Sequence, residues 1–239
     1  MRHRIVTRFA VPRQVPGTID RYKDPAWLDE RLRLLRAIYV PSVARLGVPA
    51  VLLCARAVAP TVAERVADLD WLTVVEQDDW TGGLQGEADE TLTRLDSDDA
   101  IHPDWLEAVE RTLDGSQGSA RVCLTRRFVR YDLDARRLHR YRRDEPAPLA
   151  AFSGGANPYA VDHKHLDRLD GVVSIDALSD DLNIATGPYL LSVVHGGNVK
   201  NRRPKWWRLD RRVALDRLAE FGLDPDGLDP EVLDRGRDS

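Results

Sequence analysis

The chain contains 239 residues, of which 43% are hydrophobic and 31% are charged, and its formal net charge at pH 7 is −4. This composition is typical of a globular protein that builds one domain around a substantial core. The weak negative charge argues against a general nucleic-acid binder and against a protein that binds anionic membranes.

The first half of the sequence alternates between strand and helix patterns. Apolar residues that alternate or run together predict four strands, near residues 4–10, 50–55, 71–76 and 91–95. Apolar residues at helical spacing predict helices at 25–46 and 61–69. The segment 84–93 is ambiguous and could also be helical, because Leu84, Ala88 and Leu92 would share a face. This order predicts βαβ units around a mainly parallel sheet.

An acidic segment, Asp96-Ser97-Asp98-Asp99, follows the fourth predicted strand and precedes a predicted helix. Open α/β sheets place their ligands at the carboxyl ends of their strands. Asp96 and Asp98 could hold Mg²⁺ or Mn²⁺, because hard divalent cations prefer oxygen ligands and share them with substrate phosphates. Arg94 could meet a phosphate, and we expect Asp99 to orient the loop or a sugar. The alternative is a solvated acidic turn that caps the following helix.

The second half of the chain predicts a mixed arrangement. A strand at 120–125 is followed by a hairpin that pairs residues 128–131 with 138–141. Further on, an apolar strand at 190–194 leads into His195-Gly196-Gly197-Asn198. A last helix is predicted at 210–221, before an acidic tail.

Three further groups are candidates for ligand binding. Arg8, near the carboxyl end of the first strand, could contact a phosphate or a nucleotide, or be an ordinary surface charge. His195 could be a third metal ligand, a phosphate donor or a structural histidine, and Asn198 is a candidate donor-binding residue. The basic and aromatic segment 202–208 could stack bases, face a membrane-bound acceptor, close over a diphosphate or pack in the core.

The apolar runs and the two cysteines of the sequence bear on the compartment in which the protein works. Residues 1–20 lack the uninterrupted apolar run of a secretory signal, and no run approaches the ~20 apolar residues of a membrane-spanning helix. Cys54 and Cys123 both lie in apolar runs, which predicts buried free thiols. We therefore expect a cytoplasmic protein that could contact a membrane peripherally.

The order of these parts resembles the glycosyltransferase-A fold, and four motifs are similar to those of a family of bacterial rhamnosyltransferases. The motifs are Thr7-Arg8-Phe9, Trp27 and Arg31 with Pro41-Ser42, Arg94-Leu95-Asp96-Ser97-Asp98-Asp99-Ala100, and Val194-His195-Gly196-Gly197-Asn198-Val199. Together they span most of residues 5–201. Ala10 follows Phe9 where the resemblance predicts asparagine, and the tail after about residue 205 has no counterpart.

The resemblance implies an α/β, glycosyltransferase-A-like protein with a mixed acceptor-side half. It implies transfer of a sugar, with rhamnose as the candidate, from a nucleotide-diphosphate donor to a hydroxyl of a glycan, lipid-linked or small-molecule acceptor. Mg²⁺ or Mn²⁺ would stabilise the charge of the departing diphosphate, held by Asp96, Asp98 and His195. The residues that would bind the donor are Arg8, Arg94, Asp96 and Asn198.

An inverting transferase also needs a carboxylate that deprotonates the acceptor hydroxyl. Asp180 or Asp181, some 80 residues after the acidic segment, is the candidate, and each could instead cap a helix. We expect a donor side at about 1–115, an acceptor side at about 116–205 and a helix and tail at 206–239. The competing functions are a non-catalytic module that binds sugar nucleotides or nucleic acid, and a metal-dependent phosphohydrolase.

Overall fold

The computed structural model of the chain describes residues 2–12, 21–79, 84–116, 121–142, 146–175, 188–195 and 212–228. The strands are β1 Arg2–Ala10, β2 Ala50–Cys54, β3 Leu72–Glu76, β4 Glu90–Arg94, β5 Asp99–Ile101, β6 Val122–Leu124, β7 Arg127–Asp132, β8 Arg137–Arg142, β9 Ala150–Ser153, β10 Val172–Ser174, β11 Leu190–Val194 and β12 Arg212–Val213. The α-helices are α1 Pro25–Leu34, α2 Val40–Ala44, α3 Ala59–Arg65 and α4 Trp105–Gly115. A π-helical turn, Leu35–Tyr39, joins α1 to α2, and short 3-10 helices lie at Arg21–Lys23, His163–Arg168 and Leu215–Phe221.

Seven strands form a mainly parallel sheet in the order β10-β6-β9-β4-β1-β2-β3. Only β9 runs antiparallel to its neighbours β4 and β6 within this sheet. All five residues of β2 are buried, as expected for a parallel strand covered on both faces. The predicted α/β fold with a mainly parallel sheet is confirmed by this topology.

A second sheet contains five strands in the mixed order β12-β8-β7-β11-β5. Strands β7 and β8 form the predicted hairpin, and β11 runs parallel to β7 and antiparallel to β5. The mixed second half is therefore also confirmed. The proposed division into donor side, acceptor side and tail stays a prediction.

The acidic segment joins the two sheets. It forms a tight turn in which the Asp99 N–H donates to the carbonyl of Asp96 at 3.1 Å. Strand β4, before the turn, belongs to the seven-stranded sheet, and β5, after it, belongs to the five-stranded sheet. The sequence interpretation placed a loop and then a helix here and missed β5, whose three residues are too few to show a strand period.

The helical segment that runs from Pro25 to Ala44 packs between two clusters of buried side chains. Asp24 caps its beginning by accepting a hydrogen bond from the Ala26 N–H at 3.0 Å, and Pro25 occupies the first turn. Leu32 and Leu35 face one cluster, whereas Leu34 and Ile38 face the other.

Three local predictions differ from the structure. Residues 84–89 are not helical and lead directly into β4. The helix expected at 61–69 spans Ala59–Arg65 instead. In the predicted helix 210–221, the described residues form β12 and a 3-10 helix, because β12 pairs with β8 as an edge strand.

The two cysteines are buried free thiols, as predicted. Burial raises the pKa of both Cys54 and Cys123 to about 12, so neither is a reactive thiolate at neutral pH. None of the helices in the described ranges is long and apolar enough to cross a membrane.

Candidate active site

Five of the predicted site residues lie in the described part of the chain: Arg8, Arg94, Asp96, Asp98 and His195. The remaining candidates, Asp180, Asp181, Asn198 and the basic segment 202–208, lie outside it. Their assignments therefore stay predictions from the sequence.

The carboxyl ends of β1 and β4 place Arg8 and the acidic turn near each other. These strands are parallel neighbours, with Val6 opposite Arg94, so Arg8 and Asp96 each lie two residues beyond this pair. The register between β1 and β2 is irregular between Arg8 and Ala10, which marks a change in backbone direction at this end of the strand. The position is the one at which open parallel sheets bind ligands.

Asp98 is held by a cation and an imidazole at once. Its Oδ2 accepts a hydrogen bond from Arg31 Nη1 at 3.0 Å and lies 3.1 Å from His195 Nε2. Arg31 Nη1 also lies 3.3 Å from His195 Nε2, and Arg31 Nη2 donates to Ser97 Oγ at 2.5 Å. The side chains of Arg31, Asp98 and His195 are 12%, 13% and 3% exposed.

The charges of this cluster fix the ionisation of Asp98. Burial alone would raise the pKa of Asp98, but the charge of Arg31 and the hydrogen bonds from His195 and Arg31 outweigh it and hold the pKa below its usual range. Asp98 is therefore a carboxylate at neutral pH, and the Arg31 guanidinium is its counterion.

Asp99 makes contacts within the fold. Its Oδ1 accepts a hydrogen bond from the Val193 N–H at 3.0 Å, which links β5 to β11. Burial, followed by the charges of Asp98 and Asp96, raises the pKa of Asp99 well above its ordinary value. These contacts suit a residue that holds the turn in place.

Asp96 is the most ligand-accessible acid of the turn. It is partly exposed, and its carboxylate accepts no hydrogen bond from the part of the chain that the structure describes. Burial and the charge of Asp98 raise its pKa, against the opposing charges of Arg94, Arg8 and Arg31. The charges of three arginines thus act on an acid whose oxygens can accept hydrogen bonds from a ligand.

The Arg94 side chain is bound inside the fold. Its Nε donates to the carbonyl of Pro148, and its Nη1 donates to those of Pro158 and Val161, each at 3.1 Å. Arg94 is only 2% exposed. These contacts favour a role in holding the 148–161 segment, with a long-range charge effect on Asp96.

Tyr159 supports Arg8 from that same segment. The Arg8 Cζ atom lies 4.1 Å from the centre of the Tyr159 ring, a cation–π distance. The Tyr159 hydroxyl donates to the Val6 carbonyl at 2.9 Å and accepts from the Arg8 N–H at 3.2 Å. Burial raises the pKa of Tyr159 to about 12, so it stays a neutral donor.

From the sequence, Trp27 and Arg31 were recognised only as part of a family motif, without a role in the site, and Tyr159 was not recognised. Trp27 and Arg31 are one helical turn apart, and the Arg31 Cζ atom lies 5.8 Å from the centre of the Trp27 ring. Their spacing of four residues was the available signal, because it places both on one face of a helix. The contact of Arg31 with Asp98 depends on tertiary structure and left no local signal.

The three predicted metal ligands, Asp96, Asp98 and His195, are not arranged as a metal centre. A divalent ion bound between Asp98 and His195 would have to replace Arg31 Nη1, which contacts both. Among the residues in the described ranges, no three histidine, cysteine, aspartate or glutamate side chains are placed to hold a metal ion. As they are placed, the three predicted ligands do not fit a metal centre, and the use of Mg²⁺ or Mn²⁺ stays a prediction from the sequence.

No protein-family model matches the chain, and no curated protein matches it. Among solved structures, the chain is similar to residues 1–349 of TarS from S. aureus in complex with UDP-GlcNAc, with a TM-score of 0.46 and 10% identity over 83% of this chain and 60% of that one. It is also similar to the inositol-1-phosphate CTP transferase from T. maritima, with a TM-score of 0.36 and 16% identity over 81% of this chain and 84% of that one. The chain spans about 60% of the length of the TarS fragment. At these identities, the similarity concerns the fold alone.

Proposed function

We propose that this protein is a glycosyltransferase that moves a sugar from a nucleotide-diphosphate donor to an acceptor hydroxyl. The observation that carries the proposal is the position of Asp96, at the carboxyl ends of β1 and β4 and under the influence of the charges of Arg8, Arg31 and Arg94. Rhamnose is the sugar that the sequence resemblance favours, and the acceptor is a glycan, a lipid-linked sugar or a small molecule.

The chemistry of sugar transfer suits these side chains. The bond between the sugar and the diphosphate breaks through an oxocarbenium-like state, and negative charge develops on the departing diphosphate. Fixed positive charges stabilise that charge without having to reorganise during the reaction. The accessible Asp96 carboxylate can accept hydrogen bonds from hydroxyl groups of the donor, which would orient it.

The acceptor hydroxyl must lose a proton as it attacks. Asp180 or Asp181 is our candidate for the base in an inverting reaction, and Asn198 is a further candidate for donor binding. These three assignments depend on the sequence resemblance alone. The basic segment 202–208 is our candidate for contact with the diphosphate or with a membrane-bound acceptor.

The proposal is tested by thermal unfolding of the protein with a panel of nucleotide sugars that includes dTDP-rhamnose and UDP-GlcNAc, with and without Mn²⁺. Preferential binding to the folded state raises the midpoint of unfolding, so at least one donor should stabilise the protein and its parent nucleoside should not. Stabilisation by single-stranded nucleic acid alone would support the binding-module alternative. Hydrolysis of the donors to a nucleoside monophosphate and a sugar phosphate, without sugar transfer, would support the phosphohydrolase.

A further inference from the structure

Arg31 occupies the place between Asp98 and His195 that a metal ion would need. Its Nη1 lies 3.0 Å from Asp98 Oδ2 and 3.3 Å from His195 Nε2, and its Nη2 is bound to Ser97 Oγ. A guanidinium is planar, always charged and presents five N–H donors in a fixed arrangement. The site therefore already contains a permanent cation, held in place by the acidic turn.

Two buried N–H donors beside this cation lack a partner in the part of the chain that the structure describes. They are Nε of Arg31 and Nε1 of Trp27, on side chains whose Cζ atom and ring centre are 5.8 Å apart. Leaving a buried donor unsatisfied costs about 1–3 kcal/mol, and native proteins rarely leave such groups without a ligand or an ordered water. Both donors point to a ligand that is rich in acceptor oxygens.

We propose that Arg31 is the resident cation of the site, and that it binds the diphosphate of the donor without a divalent metal ion. This inference rests on the function proposed above and assigns the charge stabilisation to a protein side chain. Asp98 and Ser97 are positioning residues, because they accept hydrogen bonds from Nη1 and Nη2 of the guanidinium, and His195 positions the Asp98 carboxylate. Nε of Arg31 and Nε1 of Trp27 are left to bind phosphate oxygens.

The charges around the turn are compatible with a bound anion. Arg31 and Asp98 form an ion pair, and Asp96 adds one more carboxylate when it is ionised. The charges of Arg8 and Arg94 also act on Asp96, so three arginine charges accompany Asp96 and Asp98, while burial favours the neutral form of Asp99. A metal ion held by Asp98 and His195 would have to displace Arg31 from its contacts with Asp98, His195 and Ser97.

The test is titration calorimetry of the full chain with UDP, dTDP, GDP and CDP, each in EDTA and in Mn²⁺. We expect at least one of these nucleotides to bind with the same affinity, within about twofold, in both conditions. The corresponding monophosphate should bind more weakly, because it offers fewer acceptor oxygens to Arg31.

Variants then identify the cation. Arg31→Met should weaken binding of the diphosphate by about tenfold or more, the usual effect of losing a hydrogen bond to a charged group, and should reduce the preference over the monophosphate. Arg31→Lys keeps the charge but loses the planar fork, so its affinity for the diphosphate should fall between those of the parent and of Arg31→Met. The matched control is Arg36→Met, which removes an exposed arginine of the same helical segment that pairs with Asp68, and it should bind as the parent does.

Each other outcome has a distinct meaning. If the diphosphate binds the parent protein only with Mn²⁺, the inference is wrong and the metal prediction stands, with the proposed function intact. If the diphosphate binds in EDTA and both Arg31 variants bind it as tightly as the parent protein does, Arg31 is not the cation. If none of the four diphosphates binds in either condition, the proposed function fails and the inference fails with it. Because the first comparison uses the parent protein, it does not depend on whether a variant folds.

Discussion

The Arg31 guanidinium donates to the Asp98 carboxylate at 3.0 Å across 67 residues of sequence. The contact ties the first helix to the turn that joins the two sheets. Both side chains are mostly buried, so the pair is screened much less than a surface ion pair. It is therefore a structural link as well as part of the candidate site.

We expect Asp98→Asn to lower the free energy of unfolding by about 1–3 kcal/mol, because it leaves the buried Arg31 charge without its counterion. Urea unfolding at pH 7 measures this change. The control is Asp68→Asn, which breaks the exposed pair with Arg36 and should have a much smaller effect. Equal effects of the two substitutions would contradict the structural role of Asp98.

Asp96→Asn should separate stability from ligand binding. The Asp96 carboxylate has no hydrogen-bond donor in the described ranges, and burial disfavours its charge, so the free energy of unfolding should stay the same or rise slightly. Binding of the nucleotide sugar should weaken, since the amide presents one acceptor oxygen in place of two. Unfolding and calorimetry on the same variant provide both measurements, and a loss of stability as large as that of Asp98→Asn would make Asp96 a structural residue.

Tyr159→Phe tests the support of Arg8. The substitution removes one donor to the Val6 carbonyl and one acceptor for the Arg8 N–H, and it should cost about 1–3 kcal/mol of unfolding free energy. The ring remains, so the cation–π contact with Arg8 is retained and ligand affinity should change less than in Arg8→Met. A Tyr159→Phe variant as stable as the parent would contradict the stabilising role of the hydroxyl.

His102 should make stability depend on pH. Its Nδ1 accepts a hydrogen bond from the Asp104 N–H at 3.2 Å, and burial lowers its pKa below 6.5, against the opposing charges of Asp104 and Glu220. As the pH falls through 6.5, the unfolded chain takes up a proton before the folded protein does, so stability is lost down to the folded pKa. We expect unfolding free energy to fall less between pH 7 and pH 5 in His102→Asn, which keeps an acceptor. Parallel pH profiles for parent and variant would contradict this.

The proposed base is tested by Asp180→Asn and Asp181→Asn. If one of these aspartates deprotonates the acceptor, its variant should still bind the donor but transfer the sugar about 10²-fold more slowly or worse. The comparison needs a donor identified by thermal unfolding and a coupled assay for the released nucleoside diphosphate. Unchanged turnover in both variants would remove them from the mechanism, and weakened donor binding would move them to the donor site.

Most of the longer strands could be predicted from the sequence, because burial leaves a strong local pattern. β2 is a continuous apolar run that is buried at every position, and the hairpin β7–β8 alternates around a turn. β5, β9, β10 and β12 were missed, because each is two to four residues long and exists only through pairing with a partner that is distant in sequence.

Only part of the candidate active site could be predicted from the sequence. The acidic turn follows a predicted strand, so its position at the edge of the sheet could be foreseen. In an extended segment, Asp96 and Asp98 would point the same way, whereas Asp96 to Asp99 form a turn. The pairing of Asp98 with Arg31 and His195 depends on the packing of three elements that are up to 164 residues apart in sequence, and no local pattern encodes it.

One face of the helical segment Pro25–Ala44 limits where the chain can be shortened. Leu34 and Ile38 share a buried cluster with Leu218 and Phe221, which lie beyond the last motif of the family resemblance. A recombinant protein that stops at residue 205 would uncover this apolar surface and remove the packing that steadies the helix carrying Arg31. We therefore expect such a truncated protein to aggregate during expression and to be digested rapidly by trypsin, although it retains every motif recognised in the sequence.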